Sequence, residues 1–181
     1  MTFTPAQDIP VSVRRKAAAI HEAGHALVAI VLGRKVTGAM LRQPQGLSGE
    51  TQFEDEPGVW LDLKVQANRQ IVENAIVTLM AGQIAEAEYW KKLTSLYNPL
   101  VDSHWHDVVE INRMKACFSF SSEQNADFLA HCAGNAKHIV LHNDSQTAIE
   151  EIATKLSNDF LISRVELDEI LMKFKVISER Q

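Results

Sequence analysis

Cysteine is scarce in this chain: 181 residues hold only Cys117 and Cys132, with no C-x-x-C pair and no framework spacing. That excludes a disulfide scaffold and fits a reducing compartment, in which thiols stay free. A long apolar run is also lacking. No segment reaches the roughly 18 to 20 uninterrupted apolar residues of a membrane span, and the opening MTFTPAQDIP has no basic stretch leading into an apolar one. The expectation is a cytoplasmic protein without a membrane partner. Positive charge is short as well. The net charge is −5, and the only basic run, residues 14–16, reads as a solvated helix start, so no nucleic-acid partner is expected. Repeats, low-complexity tracts and a glycine-rich phosphate loop are missing, which excludes the usual device for holding a nucleotide.

What is present describes one globular domain large enough for a substantial core, with 46% hydrophobic and 23% charged residues. Residues 1–10 read as an N-terminal tail and residues 11–181 as a single domain. The patterning is mostly helical. A long helix is expected over residues 11–32, with Gly33 to end it. Residues 36–53 contain Gly, Pro and Thr among short alternating runs, which predicts a hairpin or two short strands. From Leu61 apolar residues recur every three or four positions, so a second long helix follows, which Gly82 is expected to bend or split. A loop containing Asn98-Pro99 leads to a helix capped by Asp102 or Ser103 and running to about Ser119. Further helices are expected over about 122–142 and 144–158, and from near Ser163.

The first helix contains the chemistry. Its stretch AAAIHEAGHALVAIVLG, residues 17–33, is small and apolar except for His21, Glu22 and His25. Residues four apart share a helix face, so His21 and His25 can aim ring nitrogens at one ion about 2.0 to 2.1 Å away, as zinc requires. Glu22 lies about 100° further round the axis, where it can flank the metal and take a proton from water. Such a motif arises by chance in roughly 2% of chains of this composition, and burying these groups unpaired is costly. Gly24 adds about 1 kcal/mol of helix destabilisation relative to Ala, a choice that packing alone is not expected to make. The pattern implies metal-assisted hydrolysis. A catalytic zinc site usually takes three protein ligands, and the residues offer two sources for the third: the segment HWHD, which holds His104, His106 and Asp107, and Glu86.

Five segments occur in the order found in the peptidase domain of FtsH-family proteases: HEAGHALVA at 21–29, GLSGETQF at 46–53, LMAGQIAEA at 79–87, the Asp107 helix, and AIEEIATKLSNDFLISRVELDEIL at 148–171. The chain resembles that domain along nearly its whole length. The resemblance implies a mainly α, zincin-like helical metallopeptidase domain with a small β-hairpin or sheet after the metal-binding helix. It implies Zn2+ held by His21, His25 and Asp107, Glu22 as general base, and Glu86 as a supporting residue. The activity implied is a zinc-dependent endopeptidase acting on unfolded or short polypeptides. Two local differences stand out: Ala81-Gly82-Gln83 replaces the family's glycine-glycine-arginine, and His106 stands where the family has asparagine. Nothing in the sequence matches the family's ATPase module, so the implied enzyme works without ATP as a single chain, with a separate ATPase and further copies of itself as candidate partners. The alternative, from another class, is a non-proteolytic metal-binding module that serves as a structural or partner-binding domain.

Other conspicuous residues have plainer readings. His131, His138 and His142 recur at seven and four, but the face they share is mixed, so a solvated face is expected rather than a second metal stripe. Trp60, Trp90 and Trp105 are expected to anchor packing, residues 53–57 to form an acidic exposed loop, and both cysteines to be structural.

Overall fold

The computed structural model describes residues 3–54, 63–99 and 105–176. Among the described residues, five α-helices and a three-stranded antiparallel sheet are arranged around a sixth helix, α1 (Val11–Val31). Its small residues explain the central position. Ala19, Ala23, Ala26 and Ala29 are fully buried, and so short a side chain lets neighbouring backbones approach closely. The helix α2 (Gln66–Lys92) packs along one side of it and α5 (Asn143–Asp159) along another. Gly33, at φ +78°, carries the chain out of α1 in a conformation that costs glycine little.

The expected pair of strands is present as β1 (Val36–Leu41) and β2 (Gly49–Phe53), joined antiparallel with Ala39 opposite Thr51. A third strand, β3 (Leu161–Ser163), lies on the other edge of β1, in the order β2-β1-β3. It follows directly from α5, whose end is turned by Phe160 at φ 62°. Three residues are too few for alternation to reveal a strand.

Two other boundaries differ from expectation. The helix α2 runs unbroken through Gly82, and α3 (Trp105–Lys115) stops four residues before Ser119. Beyond α3 the Phe118 and Phe120 rings stack 4.9 Å apart and both meet Phe128 of α4 (Ser122–Val140), so aromatic packing ends the helix early. The expected caps Asp102 and Ser103 lie outside the described residues. Helix α6 (Arg164–Lys173) begins where expected, with Ser163 and Glu166 forming a reciprocal capping box.

Residues ahead of α1 are held against the body. Thr4 donates its backbone N–H to the Asn98 carbonyl at 2.7 Å, its hydroxyl accepts from the Asn98 N–H at 2.9 Å, and Ile9 is buried with Ala17 and Trp90. Among the described residues, no helix is long and apolar enough to cross a membrane.

Candidate metal centre

Three helices each place one part of the site. The two histidines lie on α1, Asp107 sits in the first turn of α3, and α2 passes behind them. His21, His25 and Asp107 are all buried. Their ligand atoms converge: His21 Nε2 is 2.9 Å from His25 Nε2 and 3.0 Å from Asp107 Oδ2, and His25 Nε2 is 3.5 Å from that same oxygen. Of the three ligand candidates in HWHD, Asp107 is the one brought to the histidine pair. His106 is exposed on the wall of the adjoining cavity, and His104 lies outside the described residues.

The protein also fixes which nitrogen of each ring carries a proton. His25 Nδ1 is 2.8 Å from the Thr78 carbonyl, which can only accept, so Nδ1 is the donor and a neutral ring presents its lone pair at Nε2. His21 Nδ1 donates to Glu86 Oε2 at 3.1 Å, and Glu86 Oε1 in turn accepts from the Trp90 indole N–H at 2.9 Å. Glu86 therefore orients a histidine and supplies no atom to the cluster itself. Trp90 does more than pack, since its N–H holds Glu86 in place.

These residues fit a metal ion. A tetrahedral ion with bonds of 2.0 to 2.1 Å separates its ligand atoms by about 3.3 Å, and the three observed separations bracket that value. Asp107 Oδ2 is a buried oxygen that, despite its closeness to both rings, makes no hydrogen bond of acceptable geometry among the described residues. A cation would satisfy it. Without one, a proton takes the charge. Burial pushes His21 down, but Asp107 and the hydrogen bond to Glu86 outweigh this and raise it to about 10. Burial likewise pushes Asp107 up, yet the two rings beside it hold its carboxyl well below the usual carboxylate range. Binding a cation here thus displaces a proton from His21.

Glu22 is buried one residue from the first ligand. Its Oε2 accepts from the Thr51 hydroxyl at 3.0 Å, and the same hydroxyl lies 3.1 Å from the Glu22 carbonyl, so β2 holds the carboxylate in place. No other described residue is hydrogen-bonded to its Oε1. Beside the cluster opens a cavity of about 670 Å3, lined by His21, Glu22, Glu86 and Asp107 together with Arg14 and His106. Among the described residues the metal-ligand group has three members, His21, His25 and Asp107.

Gly24 and Gly82 are explained by contact. A Cβ on Gly24 would lie 2.8 Å from the Ala85 Cβ and 2.9 Å from the Ala81 carbonyl, so the close approach of α1 and α2 selects glycine there. This corrects the expectation that packing would not. A Cβ on Gly82 would strike the His25 ring. Thr51, Thr78 and the role of Trp90 escaped the sequence reading: a backbone carbonyl has no residue signature, Thr51 reaches Glu22 from a distant segment, and only the i, i+4 spacing of Glu86 and Trp90 on α2 was a signal in the sequence. Trp105 corrects another expectation. It is 71% exposed and anchors no packing. Trp60 lies outside the described residues, as do residues 55–57 of the acidic loop, while Glu54 pairs with Lys35. His131, His138 and His142 are exposed, and His131 meets Glu73 of α2 at 3.2 Å. Cys132 is buried, whereas Cys117 is exposed and outside the core. No family model and no curated protein sequence matches the chain.

Proposed function

We propose that this domain is a zinc metallopeptidase of the zincin type that hydrolyses unfolded or short polypeptides, akin to the peptidase domain of FtsH-family proteases. The observation that carries the reading is the convergence of His21 Nε2, His25 Nε2 and Asp107 Oδ2 beside an open cavity, with each histidine held in the ligating tautomer by a partner on α2. Zinc, when bound, lowers the pKa of water and polarises a carbonyl. The chain's own groups do the rest. Glu22, fixed through Oε2 by Thr51, has Oε1 to take a proton from water and return it to the leaving amine. Glu86 and the Thr78 carbonyl keep the two rings from rotating away.

An extended substrate suits the sheet. Among the described residues strand β2 lies at its edge, paired by a strand on one side, and it begins at Gly49, on the cavity wall beside Glu22. Main-chain pairing along that edge would hold a peptide without regard to most side chains. A separate ATPase, a homo-oligomer and a cytoplasmic site of action belong to the same proposal. The competing reading, a non-proteolytic metal-binding module, would favour a site closed by a fourth protein ligand.

Metal content and cleavage of an unfolded fluorescent protein test this directly. About one zinc per chain, lost in Asp107→Ala together with a chelator-sensitive activity, is the expected result. Full zinc retention in Asp107→Ala, with no cleavage by either protein, would mean a structural site and would overturn the reading.

A further inference from the structure

The cavity beside the metal centre carries a positive charge that the hydrolytic chemistry does not use. Arg14 lies on α1 seven residues before His21, with Ala17 and Ala18 between them on the same face, and all four line the cavity. Arg14 is half-buried, and its Nε donates to the Ile9 carbonyl at 3.1 Å, which steadies the guanidinium. No carboxylate among the described residues pairs with it. Arg42, also on the cavity wall, differs: its guanidinium is exposed and lies 3.5 Å from Glu50. An arginine held through Nε keeps both terminal nitrogens for a fork that matches a carboxylate in shape and charge. The wall between Arg14 and the metal centre includes Ile9, Ala17 and Trp90, which suits an apolar side chain.

We infer that Arg14 is a specificity site that binds a carboxylate of the substrate while the scissile bond lies at the metal centre. The inference rests on the metallopeptidase reading and names its substrate class: short peptides bearing an acid at a fixed distance from the cut. Seven helical residues span about 10 Å, and an extended peptide covers that distance in about three residues. The carboxylate is therefore either a C-terminus or an acidic side chain about three residues from the bond that breaks. The site's other carboxylates do not block it, because Glu86 is engaged by His21 and Trp90 and Asp107 faces the histidine pair.

Binding is measured by fluorescence anisotropy on the zinc-loaded Glu22→Gln protein, so that hydrolysis does not interfere, with cleavage by the wild-type sequence followed in parallel. Labelled hexapeptides are compared in two arms: a free C-terminal acid against its amide, and an internal Glu against Gln. The acid is expected to bind about tenfold tighter or more in one arm, which also identifies its source. Adding Arg14→Gln should bring that arm to parity with zinc content unchanged. Arg14→Lys, which keeps the charge and lacks the fork, should lose most of the preference and serves if the glutamine variant does not fold. Parity in both arms with Arg14 present, or a preference that survives both substitutions, overturns the inference. Cleavage without acid preference would remove the Arg14 site and leave the peptidase standing. Acid preference without any cleavage would do the reverse.

Discussion

Thr78 contributes only a carbonyl to the site, yet that oxygen obliges His25 to carry its proton on Nδ1 and so leaves Nε2 as a ligand. The contact depends on Gly82, since any Cβ there would strike the imidazole. Gly82→Ala is expected to displace His25 and weaken zinc affinity by about tenfold or more, while helix content by circular dichroism holds; unchanged zinc titration would refute the link. Glu22→Gln should keep its zinc and lose about 100-fold or more in kcat, and a variant that cleaves at the wild-type rate would exclude Glu22 as the base. The cysteines offer a check that needs no activity. Burial, with Glu73 nearby, pushes the Cys132 thiol up to about 12, so at neutral pH mass spectrometry should find iodoacetamide on exposed Cys117 and on Cys132 only after denaturation. At this scale the sequence exposed His21, Glu22 and His25 because i, i+4 spacing is visible in one dimension. It left Asp107 to be chosen by resemblance, and it misjudged Gly24, whose cause is an alanine pair sixty residues away on α2.

Elements were legible where their signals are local. The helix opening at Arg164 follows a serine with a glutamate three residues on, and β1 and β2 fall where Gly, Pro and Thr interrupt the helical period. The strand β3 and the early end of α3 were not, since each is decided by tertiary partners: β1 for the strand, the Phe118, Phe120 and Phe128 cluster for the helix. The start of α6 also allows a pH test. The Ser163 backbone N–H, together with Lys155, holds Glu166 down at about 2 against a usual 4.5. A carboxyl lowered in the folded state stabilises the fold above its unfolded pKa, and that contribution disappears as pH falls through the folded value. Glu166→Gln should therefore lower Tm at pH 7, with the gap to wild type closing between about 4.5 and 2. A gap constant across that window in thermal melts would show that Glu166 adds no charge-dependent stability.

At the level of the molecule, the His21, His25 and Asp107 cluster joins α1 and α3 directly and α2 through Glu86 and the Thr78 carbonyl. An ion bound there stabilises the whole fold by mass action, about 2.7 kcal/mol at a hundredfold excess over Kd, or some 5 to 10 °C in Tm for a chain of this size. Differential scanning calorimetry should show that rise with zinc in the wild-type protein and none in Asp107→Ala; equal shifts in both would place the ion elsewhere. The carboxylate of Asp107 follows a stretch of chain that is fastened outside the ligand cluster. Asp107 stands eight residues after Pro99, and Thr4 pins that stretch by pairing with Asn98 and bridging to Pro99. A carboxylate on so short a tether has a high effective concentration at the histidine pair, and loop closure costs more as the tether lengthens. Were an ion held there, releasing Thr4 would lengthen the tether back to the end of α2, and a weaker metal affinity on removal of the first five residues is the expected consequence.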